Sequence, residues 1–77
     1  MISFVLMTIE PMREHEVYLR LKRDERINEV DPLFGEYDLI LKIDVKDFEE
    51  LGNIVMDLRT MKGVLDTKTL TGFLMNV

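Results

Sequence analysis

Apolar and polar residues alternate most regularly from Tyr37 to Val45. Tyr37, Leu39, Leu41, Ile43 and Val45 share one parity, and Asp38, Ile40, Lys42 and Asp44 share the other. Period two over such a run predicts a half-buried strand. The chain enters it through a turn at Gly35, where glycine takes positive φ without a Cβ penalty. Ile2 to Ile9 predicts another strand, apolar at both parities: Ile2, Phe4 and Leu6 on one side, Val5, Met7 and Ile9 on the other. Such a strand is expected to be buried on both faces. Ile27 to Leu33 predicts a weaker strand, and Pro32, which has no N–H for a ladder, places it at an edge or a bulge. Val64 to Met75 predicts the last strand, with Leu65, Thr67, Thr69, Thr71, Phe73 and Met75 on one parity. Threonine is by itself a good strand residue.

Helical periodicity fills the gaps between these strands. Glu10-Pro11-Met12 ends the first strand, and Pro11 suits the first helical position, where its missing N–H costs nothing. The helix then runs from Arg13 to about Lys22, with Val17 and Leu21 on its apolar face and Glu16 and Arg20 spaced as a surface pair. Arg23 to Arg26 reads as a charged loop. The second helix is better marked. Asp47 is an N-cap and Glu50 completes a capping box. Phe48, Leu51, Val55 and Leu58 form an apolar stripe, widened by Ile54 and Met61. Acidic residues stand in the first turn, Arg59 and Lys62 near the end, and Gly63 where a C-terminal glycine belongs. Gly52 breaks the pattern, and close packing against a neighbouring backbone is the expected reason.

Strand, helix, strand, strand, helix, strand is the split βαβ order of an α+β, ferredoxin-like domain: a four-stranded antiparallel sheet with two helices on one face. Residues 1–77 are expected to form this single domain. The helices can cover one face only. The two-sided first strand therefore implies that the open face meets another subunit. Composition points the same way. The chain has 77 residues and no cysteine, too small for a generous core and without disulfide staples, which leaves oligomerisation as the common remedy. A formal net charge of −5 is a poor balance for gripping phosphates, so no direct nucleic-acid contact is expected. No run approaches the length of a membrane span, and no secretory leader is seen. The expectation is a soluble, cytoplasmic protein.

Little in the chain suggests covalent or metal chemistry. His15 is the one histidine, and Glu14 and Glu16 are wrongly spaced to share its helix face. It reads as an exposed or half-exposed helix residue. No cofactor or metal site is expected. Asp38, at the mouth of the regular strand beside a turn rich in N–H groups, reads either as a polar anchor for a small ligand or as a solvated turn aspartate.

Three segments carry a family resemblance: Gly35-Glu36-Tyr37-Asp38-Leu39-Ile40-Leu41, Asp47-Phe48-Glu49-Glu50-Leu51-Gly52, and Gly63-Val64-Leu65-Asp66-Thr67-Lys68-Thr69. Together they resemble the effector-binding half, or RAM domain, of Lrp/AsnC transcription regulators, and the likeness spans nearly the whole chain. The family's helix-turn-helix is missing, so the chain looks like a stand-alone RAM protein. The resemblance implies a dimer of face-to-face sheets, dimers joined into an octamer-like ring, and an amino-acid effector in a cleft between dimers. It also implies contacts with full-length Lrp/AsnC regulators. By the same likeness, Asp38 would help hold the effector's polar head, Gly35, Glu36 and Tyr37 would line the cleft, and Thr67 and Thr69 match the family's threonines on the last strand. An ammonium wants a carboxylate, and a carboxylate wants hydroxyl or N–H donors. One departure is Phe34, where the family usually has threonine. The ring could narrow the cleft, favour an apolar or aromatic effector, or serve subunit packing.

Two other readings compete with this one. Dimeric α/β-barrel oxygenases and isomerases share the plan, which leaves a cofactor-independent enzyme as the alternative, though His15 alone offers it little. ACT domains share the element order but favour glycine in the first strand-to-helix turn, where this chain has Glu10-Pro11-Met12.

Overall fold

The computed structural model describes residues 1–72. The elements are β1 (Ile2–Ile9), α1 (Glu14–Lys22), β2 (Glu29–Pro32), β3 (Leu39–Asp44), α2 (Phe48–Arg59) and β4 (Val64–Thr71). The sheet order is β2-β3-β1-β4, and every neighbouring pair is antiparallel. This is the expected ferredoxin-like fold. β2 is an edge strand, as Pro32 required. β3 starts two residues later than its alternation suggested. Phe73, Leu74 and Met75, the end of the expected last strand, lie outside the described residues.

Register explains how the two parities are used. Val5 pairs with Leu41 and Met7 with Leu39, while β4 sets Thr69 and Thr67 opposite the same two β1 residues. Directly opposed residues share a face. Val5, Met7, Leu39, Leu41 and Ile43 are therefore the floor of one core, roofed by Val17 and Leu21 of α1 and by Leu51, Ile54 and Leu58 of α2. Ser3 is the one buried polar residue among those described, and its Oγ lies 3.1 Å from Thr71 Oγ1. The opposite face carries Ile2, Phe4 and Leu6 of β1, Ile40 of β3 and Leu70 of β4. Within one chain it stays open. Phe4 and Leu70 are exposed there, and Leu6 and Ile40 are half-buried.

Several local expectations need correction. Pro11 does not open α1. The Arg13 amide donates to the Glu10 carbonyl at 3.0 Å, and Met12 takes φ 76°. Residues 10–13 thus form a turn of the type II kind, with proline second and positive φ third. The helix begins at Glu14 without a side-chain cap. Glu16 pairs with Arg13 (3.1 Å) rather than Arg20. Phe48 does not join the buried stripe of α2 and is 67% exposed. Gly52 does not pack against a backbone of its own chain, since a Cβ there would meet nothing within 4 Å. The capping box of α2 does form. The Glu50 amide donates to Asp47 Oδ1 at 2.9 Å, and Glu50 Oε2 reaches back to the Lys46 amide at 2.8 Å. α2 closes at Thr60, and Gly63, at φ 95°, turns the chain into β4.

Candidate functional site

Asp38 sits between the β2–β3 turn and β3, and the backbone around it is tightly held. Its amide donates to the Met7 carbonyl at 2.8 Å, and its carbonyl accepts from Leu33 at 2.9 Å. The side chain also has structural work, because Oδ2 accepts the Ile9 amide at 2.7 Å. That amide lies where β1 and β4 slip register between Thr8 and Ile9. A bulge leaves a backbone donor without its ladder partner, and Asp38 satisfies it. Oδ1 takes no protein partner among the described residues and is not buried. A carboxylate has room for several donors, so this oxygen remains free to bind one.

Asp38 lines an open groove of about 520 Å³ together with Glu14, His15 and Tyr18 of α1 and Pro32, Leu33, Phe34 and Leu39. One wall is apolar and aromatic, and Phe34 stands fully exposed on it. The Tyr18 ring is half-buried and has Lys22 Nζ 5.9 Å from its centroid. His15 is exposed, as expected, yet it borders this groove. Sequence reasoning passed over the α1 contribution. The available signal was the spacing of Glu14 and Tyr18, four apart on the flank of α1 that faces the Leu33–Phe34 turn.

The other expected site residues are spread out. Gly35, at φ 117°, and Glu36 are exposed on the turn, and Tyr37 is half-buried beside Asp38. None of the three lines the groove. Thr67 and Thr69 are half-buried on β4, opposite Met7 and Val5. β1 therefore lies between Asp38 and Thr67. Two strand spacings set their backbones roughly 10 Å apart. Among the described residues no cluster of His, Cys, Asp and Glu could hold a metal ion, and no helix is long and apolar enough to cross a membrane.

A family model described as Lrp/AsnC ligand binding domain matches residues 2–72. An uncharacterized HTH-type transcriptional regulator, PH1916 of Pyrococcus horikoshii, is 36% identical over 75 residues, covering 92% of this chain and 50% of that protein. The chain spans about half the length of this regulator. Among solved structures, TTHA0845 from Thermus thermophilus is similar throughout, with a TM-score of 0.88, 28% identity, and coverage of 99% of this chain and 96% of that one. The Neisseria meningitidis transcriptional regulator NMB0573, solved as an L-Met complex, shares the fold at a TM-score of 0.81 and 20% identity, covering 97% of this chain and 49% of that one. The matched segment takes in both helices and all four strands, the β2–β3 turn with Asp38, and Thr67 and Thr69. This chain belongs to the Lrp/AsnC ligand-binding domain family.

Proposed function

We propose that this chain is an oligomeric effector-binding module that senses an amino acid, performs no catalysis itself, and acts on transcription regulators through protein contacts. The observation that carries the reading is Asp38. Its carboxylate is fixed by the Ile9 amide through one oxygen, and the other is left for a ligand beside an apolar groove. A fixed carboxylate with an apolar wall suits an ammonium carried on a hydrocarbon body. Membership of a ligand-binding family supports this, as does the L-Met found with a protein of the same fold.

Gly35, Glu36 and Tyr37 would line the site with Asp38, and Thr67 and Thr69 would offer hydroxyls to the effector carboxylate. The backbones of Asp38 and Thr67 lie about 10 Å apart by strand spacing. In this reading the site is completed between copies, with Thr67 and Thr69 coming from a neighbour. Face-to-face packing of the open sheet, through Phe4, Leu6, Ile40 and Leu70, supplies the dimer, and dimers join into a ring.

A thermal-shift panel with each of the twenty amino acids at millimolar concentration tests this. A ligand at about one hundred times its dissociation constant stabilises by roughly 2.7 kcal/mol, which a small domain reports as several degrees. A selective shift is expected, and Asp38→Asn, which keeps an acceptor for Ile9 but loses the charge, is expected to abolish it. No shift with any of the twenty would refute amino-acid sensing.

A further inference from the structure

The groove beside Asp38 is one-sided in charge. Two carboxylates line it, Asp38 at the mouth of β3 and Glu14 at the start of α1, and no lysine or arginine does. Neither carboxylate is neutralised by its own chain. Asp38 commits one oxygen to the Ile9 amide and keeps the other. Arg13 pairs with Glu10 and Glu16, which leaves Glu14 without an ion pair among the described residues. A ligand carboxylate would enter this groove against two like charges. The amides of Leu33 and Asp38 do not offset that, because both already donate to carbonyls. Tyr18 and His15 are the side-chain donors left in the lining.

The rest of the lining suits an ammonium and the body that carries it. Phe34 stands fully exposed on one wall, and Tyr18 is half-buried on α1. An aromatic face attracts a cation within about 6 Å of its centroid, and Lys22 Nζ already lies 5.9 Å from that of Tyr18. Leu33 and Leu39 add apolar surface, and the volume of about 520 Å³ is that of a small-molecule site. Among the described residues no cluster of His, Cys, Asp and Glu could hold a metal ion. The cation that suits these two carboxylates is therefore an organic one.

We propose that this groove binds organic amines that lack a carboxylate, with a primary ammonium on an apolar or aromatic body. The ammonium is held by Asp38 and Glu14, and the body lies against Phe34 and Tyr18. The proposal rests on the reading that the Asp38 groove is the effector site, and it fixes which end of the effector the groove recognises. In that reading an amino acid sends its carboxylate to Thr67 and Thr69 of a neighbour. The matching amine needs no such partner, and it escapes the repulsion.

Isothermal titration calorimetry at constant ionic strength tests this with matched pairs: 2-phenylethylamine against phenylalanine, and 3-methylbutylamine against leucine. In each pair the amine is expected to bind at least tenfold more tightly. Glu14→Gln removes an exposed side chain that has no ion pair to lose, and it is expected to weaken both amines at least fivefold. Phe34→Ser should weaken 2-phenylethylamine by a similar factor. Glu29→Gln, exposed on β2 outside the groove, controls for attraction by net negative charge and should leave the amines unaffected. Thr67→Ala with Thr69→Ala should also leave them unaffected. An amino acid bound as tightly as its amine would overturn the proposal and leave amino-acid sensing standing. Amines that bind while none of the twenty amino acids shifts the melting temperature would refute sensing and uphold the proposal. Absence of amine binding, equal losses in Glu14→Gln and Glu29→Gln, or loss of amine binding in the double threonine variant would each overturn it.

Discussion

The two strand–helix–strand halves of this fold enter their helices in opposite ways. In the second half, Asp47 takes extended backbone angles and its side chain accepts from Glu50, so α2 begins on a complete cap and runs for 12 residues. In the first half, the chain leaves β1 through a turn that forces Met12 to φ 76°, and α1 begins without a side-chain cap and runs for 9 residues. The cap lowers free energy through side-chain hydrogen bonds. The Met12 turn raises it, since a non-glycine residue at positive φ costs of order 1 kcal/mol or more. Local sequence therefore makes α2, whereas α1 relies on tertiary packing: Val17 and Leu21 are almost fully buried.

Gly63 joins the two halves, and changing it is expected to have the largest effect. Its carbonyl accepts the Glu10 amide at 2.8 Å, which ties the end of α2 to the strained turn. A Cβ at Gly63 would sit 2.9 Å from Val17 Cγ2, and its φ is 95°. Gly63→Ala is therefore expected to destabilise by about 2 kcal/mol, from strain and displacement of the α1 anchor together. Urea unfolding measures this. A cost under about 0.5 kcal/mol would mean that α1 does not depend on the junction.

Asp47→Ala comes next, at about 1 kcal/mol. Glu50→Gln should cost less, because an amide oxygen can still accept from Lys46. A double-mutant cycle between positions 47 and 50 should show coupling, since each residue satisfies an amide at the same helix end. Independent effects would argue that the box contributes only as two separate contacts.

Met12→Gly tests the other entrance and should have the opposite sign. Glycine accepts positive φ, so relief of strain is expected to stabilise by somewhat under 1 kcal/mol after the added flexibility of the unfolded chain is subtracted. Met12 is 93% exposed and loses little packing. A destabilised Met12→Gly protein would show that the side chain has a partner that compensates for its backbone.

This contrast also explains what was readable in advance. Asp47 and Glu50 announce a cap because capping is a side-chain property at fixed spacing. Positive φ is a backbone property, usually betrayed by glycine. With Met12 in that place, Pro11 read as a helix start when it opens a turn. The sheet was legible because Leu39, Leu41 and Ile43 alternate cleanly. The burial of β1 was half legible. Its two apolar parities were visible, but only one is covered by the chain itself. Phe48 could not be told from Leu51 by periodicity, because a helix can carry apolar residues on its exposed face as well as on its buried one. At the site, the Gly35–Asp38 turn was visible as a motif. The bond from the Ile9 amide to Asp38 was not, since it depends on a register slip with β4 that no local pattern encodes.

The smallest expected effect concerns an ion-pair link between the halves. Arg26 holds Asp24 through both oxygens, at 3.0 Å and 2.8 Å, and reaches Asp57 of α2 at 2.7 Å. The side-chain hydrogen bonds from Arg26 hold the Asp24 carboxyl below its ordinary range. A carboxyl depressed in the folded state contributes stability that is fully present above its unfolded value, near 3.8, and is lost as pH falls through the folded value. The Arg26 guanidinium is stabilised first by Asp24 and then by Asp57, and it stays charged throughout that range. Arg26 and Asp57 are exposed and Asp24 is half-buried, so Arg26→Ala should cost only a few tenths of a kcal/mol to about 1 kcal/mol near neutral pH. The difference between wild type and Arg26→Ala should then shrink as pH falls below about 4. It should also shrink as salt is raised, because exposed pairs are screened. Unfolding curves of both proteins from pH 7 to pH 3 measure this. A difference that stayed constant with pH would mean that Arg26 joins the halves by packing of its stem and not by its charge.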